Sequence, residues 1–254
     1  MKKNNKILLF DIETSPNLGY IWGKYEQNVI EYVSEWYVLC FAYKWLGDSK
    51  THVLGLPDFD SYKKNPENDK LLMKALWDLF DQADVVIAHN GQSFDVKKVN
   101  ARFLAHGMKP PSPYKIVDTK LVAKRYFNFN SNKLDDLGNY LGLGRKLDTG
   151  GFDLWKGCMS GDDKSWKTML KYNIQDVVLL EKVYEKMLPY MTNHPDRNII
   201  DETLHLVCNN CGSDNIYKRG YLTTRTGKWQ RHQCIECGAW FKGDKIKHDS
   251  NTNR

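Results

Sequence analysis

The stretch Lys6-Ile7-Leu8-Leu9-Phe10-Asp11-Ile12-Glu13-Thr14 decides how the rest of the chain is read. The apolar run Ile7 to Phe10 is too short for a helix core and reads as a strand buried in a sheet, ending at Asp11-Ile12-Glu13. Asp11 and Glu13 stand two residues apart, so a strand points both carboxylates to one face. Held that close, two ionised carboxylates repel unless a cation lies between them.

Working outward, β-branched and aromatic enrichment at 36–46 and 51–56 predicts two further strands. Leu71, Leu72, Ala75, Leu76, Leu79 and Phe80 recur at helical spacing and predict a helix over 69–82, with Asp69 near its start. Asp84 to His89 reads as another core strand, and a helix is expected over 93–105, closed by Gly107 and Pro110-Pro111. Residues 115–126 read as a short approach followed by a helix, and 134–141 as a compact helix ended by Gly142. The Gly- and Asp-rich stretch 142–163 lacks a period and is expected to be a loop, with Gly144-Arg145-Lys146 a mobile basic segment beside the site. A long amphipathic helix is expected over 166–187, stopped by Pro189, and 192–201 reads as a linker. Strands first, then strand and helix in alternation, imply an α/β fold, a mixed sheet flanked by helices.

Of 254 residues, 41% are hydrophobic and 27% charged, which excludes a disordered, collagenous or low-complexity chain. The longest N-terminal apolar run, Ile7 to Phe10, is far short of a signal or membrane segment, so a soluble, cytoplasmic protein is expected.

Two more acids join the first pair. Asp95 opens the helix after the strand ending at His89, and Asp176 lies in the last helix with Tyr172 one turn earlier on the same face. Strand ends and helix starts of an α/β sheet converge on one edge, where Asp11, Glu13, Asp95 and Asp176 can surround hard divalent ions.

In combination these residues resemble a family. Phe10-Asp11-Ile12-Glu13-Thr14, Asn90-Gly91-Gln92-Ser93-Phe94-Asp95 and Tyr172-Asn173-Ile174-Gln175-Asp176 resemble, in order, the three motifs of the DEDD exonucleases. These belong to the ribonuclease-H-like superfamily that includes polymerase proofreading domains. The third motif reads Tyr-x3-Asp, with Lys171 where the other subclass carries histidine, so the resemblance is to the tyrosine subclass. It covers about residues 6–190, and Asp118-Thr119 and Lys133-Leu134-Asp135-Asp136-Leu137 resemble the family's intervening helix starts.

The resemblance implies a ribonuclease-H-like sheet and a metal-dependent 3′-to-5′ exonuclease acting on single-stranded nucleic acid, DNA in preference to RNA, with two Mg²⁺ or Mn²⁺ ions. It implies that Asp11 bridges both ions, that Glu13 and Asp176 complete the site for the attacking water, and that Asp95 holds the second ion largely through waters. Tyr172 with Glu13 then orients the water, Thr14 seats the 3′-terminal nucleotide, and Asn90 and Phe94 shape the pocket's edge. An exoribonuclease, a structure-specific endonuclease on the same fold and a non-catalytic nucleic-acid-binding protein are the alternatives. Trp22, Tyr25, Trp36, Tyr37 and Trp45 can stack bases, but an aromatic strand is more often core, and core is the expectation.

The end of the chain differs in kind. Residues 204–254 hold 9 Lys and Arg against 4 Asp and Glu, or +5 of the net +6. Cys208-x2-Cys211 and Cys234-x2-Cys237, separated by 22 residues and each followed by glycine, have the two-knuckle spacing of a zinc ribbon with one structural Zn²⁺. Two disulfides are the less favoured reading in an intracellular chain. His205 and His232 are expected at the surface, since four cysteines already close a tetrahedron. Lys218, Arg219, Arg225, Lys228, Arg231 and Lys242 among aromatics suggest a nucleic-acid clamp, with docking of a replication or repair protein as the alternative. The expected division is an exonuclease domain at 1–192, a linker at 193–203, a ribbon at 204–244 and a flexible basic tail at 245–254.

Overall fold

The N-terminal run forms β1 (Ile7–Thr14), the central strand of the main sheet in a computed structural model that describes residues 6–25, 28–203 and 205–246. The chain continues through β2 (Leu18–Tyr20), β3 (Glu31–Ser34), β4 (Val38–Trp45) and β5 (His52–Gly55) to α1 (Lys70–Gln82). There follow β6 (Val85–Ala88), α2 (Asp95–Ala105), β7 (Lys115–Asp118), α3 (Thr119–Tyr126), α4 (Leu134–Tyr140), α5 (Asp153–Met159) and α6 (Asp163–Met187). The last elements are α7 (Arg197–Ile200), β8 (Ile216–Thr224), β9 (Gly227–Cys234) and β10 (Trp240–Lys245). The described chain divides into two units, Lys6–Val183 and a C-terminal unit that begins at Tyr184.

In the first unit the sheet order is β5-β4-β1-β6-β7. β1 pairs antiparallel with β4 and parallel with β6, β4 pairs antiparallel with β5, and β6 pairs parallel with β7. Hairpin-linked strands come first and helix-linked parallel strands follow, because a parallel neighbour requires a crossover. The 115–118 approach is therefore the outer parallel strand. Leu8, Phe10 and Ile12 of β1 enter one core cluster with Leu76 and Phe80 of α1 and Val99 and Phe103 of α2. Phe10 meets Phe80 edge to ring at 4.9 Å. The alternate residues Asp11 and Glu13 belong to the other face, where the Asn173 side chain of α6 donates to Asp11 Oδ2 at 2.7 Å.

Asp69, expected only to start a helix, is fully buried. Its carboxylate receives Arg102 Nε at 2.7 Å, the His106 ring at 2.6 Å and the Val38 N–H at 2.9 Å, tying α2 and β4 to the start of α1.

Several expectations are corrected. The loop over 142–163 contains α5, which buries only Leu154 and Cys158 and so leaves too short an apolar pattern to read. The linker contains α7, whose Asp196 accepts from the Asn198 N–H at 2.9 Å. Strands β2 and β3 form a separate hairpin with Leu18, Tyr20, Tyr32 and Val33 exposed. Trp22 and Tyr25, between those strands, are 86% and 90% exposed rather than core, whereas Tyr37 is buried as expected.

In the C-terminal unit, β8, β9 and β10 make a three-stranded antiparallel sheet with β9 in the middle. His232, expected at the surface, is buried, and its ring stacks on Phe241 at 5.4 Å. Period-two alternation puts it on the same face as Cys234. His205 is exposed. Lys245 closes β10, and residues 247–254 of the expected basic tail lie outside the described residues.

Candidate active site

β1 delivers Asp11 and Glu13, and α6 crosses that face with Tyr172, Asn173 and Asp176 one turn apart or less. Carboxylate oxygens of Asp11, Glu13 and Asp176 lie within 4.8 Å of one another. Asp95, at the first turn of α2, is buried, and its Oδ1 accepts from the Ile12 N–H at 3.4 Å.

Such crowding raises every acid of the group. Burial first, then the charges of Asp95, Asp176 and Glu13, push Asp11 well above the usual carboxylate range. Burial and Asp176 push Glu13 up to about 8, burial pushes Asp95 up to about 7 against the opposing Ile12 N–H, and burial raises Asp176. Burial and the charge of Asp176 likewise raise Tyr172, so its phenol is protonated at neutral pH.

A cation answers this charge. Lys146 Nζ lies 2.6 Å from Asp176 Oδ2 and 3.1 Å from the Tyr172 hydroxyl. Burial works against the ammonium, but Asp176, Tyr172 and Asp11 outweigh it and hold Lys146 above the ordinary lysine range. The expected mobile basic loop is thus anchored here: Asp135 at the first turn of α4 accepts from the Lys146 N–H at 2.7 Å, and Gly138 leaves room where a Cβ would come 2.7 Å from the Gly144 carbonyl. Asp176 Oδ1 remains buried without a hydrogen-bond partner among the described residues. Three convergent hard oxygen donors and one orphaned carboxylate oxygen fit a divalent cation.

Beside the acids lies an open apolar cleft of about 540 Å³, lined by Thr14, Trp36, Phe94, Lys98, Phe152 and Trp155 among others. Thr14 and Phe94 both line it. Lys98 Nζ sits 3.8 Å from the centre of the Trp36 ring and 3.3 Å from Thr14 Oγ1. Trp155 packs edge-on against Tyr172 at 6.3 Å and links cleft and acids.

Asn90 is not in the cleft lining. It adopts φ 67°, a left-handed conformation that asparagine tolerates, and opens the turn into α2. Asp118 holds that turn, accepting from the Asn90 N–H at 3.0 Å and the Gln92 N–H at 3.1 Å, while also capping α3 through the Lys120 N–H at 3.0 Å. Glycine is required next to Asn90, since a Cβ on Gly91 would sit 2.4 Å from that of Ala88.

Sequence reasoning missed Lys146, Lys98 and Trp155 as site residues. The signal for Lys146 was a lone basic pair after Gly144, and Trp155 lay in a stretch without period.

In the C-terminal unit the sulfurs of Cys208, Cys211, Cys234 and Cys237 approach within 4.8 Å of one another. The Cys208–Cys237 and Cys211–Cys234 separations of 3.6 Å exclude disulfides and suit a tetrahedral thiolate centre. Gly212 and Gly238 adopt φ 78° and 81°, turning each knuckle so that the Gly212 N–H reaches the Cys208 carbonyl and the Gly238 N–H that of Cys234.

A comparison with curated proteins finds no match. Among solved structures, the fold is similar to the family B DNA polymerase from the hyperthermophilic archaeon Pyrobaculum calidifontis, with a TM-score of 0.54 and 18% identity. That likeness covers 73% of this chain and 25% of the polymerase chain, so this chain spans about a quarter of the polymerase's length. The family model RNase_H_2 matches residues 8–188, from the start of the central strand to the end of the long helix. On the strength of that match, which takes in the whole sheet and all four acids, the chain belongs to the RNase H superfamily.

Proposed function

We propose that the chain is a metal-dependent 3′-to-5′ exonuclease of the DEDD tyrosine subclass that trims single-stranded DNA. The observation that carries this reading is the convergence of Asp11, Glu13 and Asp176 within 4.8 Å beside a cleft walled by aromatics. DNA is favoured because the similar polymerase is a DNA polymerase. Residues 1–192 are assigned to the nuclease domain, 193–203 to the linker, 204–244 to a ribbon whose four cysteines would hold one structural zinc, and 245–254 to a basic tail.

Asp11, Glu13 and Asp176 would hold one Mg²⁺ or Mn²⁺, and Asp11 with Asp95 a second. Such ions supply Lewis acidity and charge neutralisation at the attacking and leaving oxygens of the phosphodiester. The protein's own groups do the rest. Tyr172, kept protonated, orients the attacking water by its hydroxyl instead of abstracting a proton. Lys146 fixes that hydroxyl through its 3.1 Å contact and brings a positive charge to the place where phosphate charge grows. Thr14, Phe94 and Trp36 hold an unpaired terminal nucleotide, because a cleft lined by aromatic faces accepts a base that has left its stack.

The test is hydrolysis of single-stranded DNA by the purified protein with and without Mg²⁺ or Mn²⁺, beside Asp11→Ala and Asp176→Ala. Turnover should require the metal and vanish in both variants while their melting curves stay cooperative. Near wild-type turnover in Asp11→Ala contradicts the assignment.

A further inference from the structure

One face of the β8–β10 sheet gathers aromatic rings and cations. Tyr217, Leu222, Trp229, Arg231, Trp240, Lys242 and Lys245 share it by register, because Leu222 and Lys245 both pair with Trp229, and Tyr217 and Trp240 both pair with Gln233. Tyr217 and Trp240 are 57% and 51% exposed. Lys242 stands directly opposite Arg231 across the β9–β10 ladder, an arrangement of like charges that destabilises a sheet unless an anion lies over it.

The cations also sit on the rings: the Arg231 guanidinium is 4.9 Å from the centre of the Trp240 ring, and Lys242 and Lys245 are 5.4 Å and 5.6 Å from that of Trp229. Asp244 is the one carboxylate in the three strands, and its charge acts on His232, on the opposite face. A groove of about 430 Å³ opens along this face, where Leu222, Arg231, Trp240 and Lys242 meet Met191 and Asn209.

We propose that this face binds a single strand of nucleic acid, with bases stacked on Trp240 and Trp229 and phosphates paired with Arg231, Lys242 and Lys245. Phosphates supply the anion that the Arg231–Lys242 pair lacks. Unpaired bases supply flat π-faces, which a duplex hides in its own stack. The inference deepens the nuclease reading by giving the ribbon a share of the substrate, and it rests on that reading only for the strand being the one hydrolysed.

The experiment is fluorescence anisotropy of a 5′-fluorescein 12-mer oligothymidylate with the full chain carrying Asp11→Ala, without added divalent ions, across a salt series. Trp240→Ala should weaken binding about tenfold or more, Trp240→Phe should retain most of the affinity, and Lys242→Gln and Arg231→Gln should each flatten the slope of log K against log salt by about 0.7. Lys242 is exposed, with its ammonium on the Trp229 ring and not in the core, so its substitution is read beside a melting curve that shows the fold retained. Unchanged affinity and slope in Trp240→Ala and Lys242→Gln overturn the proposal, and tighter binding of the matched duplex overturns the single-strand claim. If the wild-type chain binds with these dependences but hydrolyses nothing in Mg²⁺, the ribbon inference stands and the nuclease reading falls.

Discussion

Lys146 and Tyr172 make the sharpest case at the scale of single residues. Lys146 reaches both the Tyr172 hydroxyl, at 3.1 Å, and Asp176 Oδ2, at 2.6 Å, which ties the two side chains to the acids. Removing a preorganised donor or cation from a phosphoryl-type site costs roughly 10²-fold or more in turnover. Tyr172→Phe and Lys146→Ala are each expected to slow hydrolysis by about that factor while metal-dependent stabilisation of the fold persists. A double variant should be little worse than either, because the two act on one hydroxyl. Independent, multiplying losses would separate them.

The acids also set a pH dependence. Glu13 binds its proton up to about pH 8 in the fold against an ordinary 4.5, and Asp95 up to about 7 against 3.8. Folded pKa values above unfolded ones mean stability that is whole below the ordinary carboxylate range and is lost as pH rises through 7 and 8. His89 opposes this on the acid side, since burial lowers it to about 4 and costs stability as pH falls from 6.5 toward 4. In buffer without divalent ions, the melting temperature should fall between pH 6.5 and 8.5, and Glu13→Gln should flatten that fall. An identical pH profile in Glu13→Gln would remove Glu13 from the coupled group.

Among the elements, the turn from β6 into α2 is held from outside by Asp118, which serves that turn and the start of α3 together. Asp118→Ala therefore loses a helix cap and releases the loop that carries Phe94 and Asp95. About 2 kcal/mol of destabilisation is expected in denaturant unfolding, with a raised KM for a single strand. Unaltered stability would show the turn to be held by other contacts.

Legibility followed burial. β1 and β6 were readable because both faces of each are covered, which leaves continuous apolar runs, and α1 and α6 because one stripe of each is buried. The hairpin of β2 and β3 was not, since its apolar side chains face solvent and alternation carries no inside or outside. Helix α5 escaped because seven residues with two buried positions set no period. Asp11, Glu13, Asp95, Tyr172 and Asp176 were legible through motif order. Lys146 was not: it reaches Asp176 from 30 residues away only after Asp135 and Gly138 have seated its loop.

The whole molecule joins two units with different sources of order. The first has a sheet covered by helices and a large apolar cluster. In the second, the described residues around the knuckles include a small buried cluster of Cys208, Cys234 and Ala239, with Cys211, Ile216, Cys237 and Phe241 packed against it, so a metal in the four-thiolate centre would add stability there. Among the described residues, no helix is long and apolar enough to cross a membrane.

The proposed activity is hydrolysis of a strand from its 3′ end by the acids of β1, α2 and α6. It is tested most directly by a time course on a 5′-labelled single strand of DNA with Mg²⁺, resolved to single nucleotides. The expected result is a ladder that shortens one nucleotide at a time with the 5′ label retained, and no ladder with Asp176→Ala. A single internal cut, release of the label as the first product, or an intact strand would contradict it.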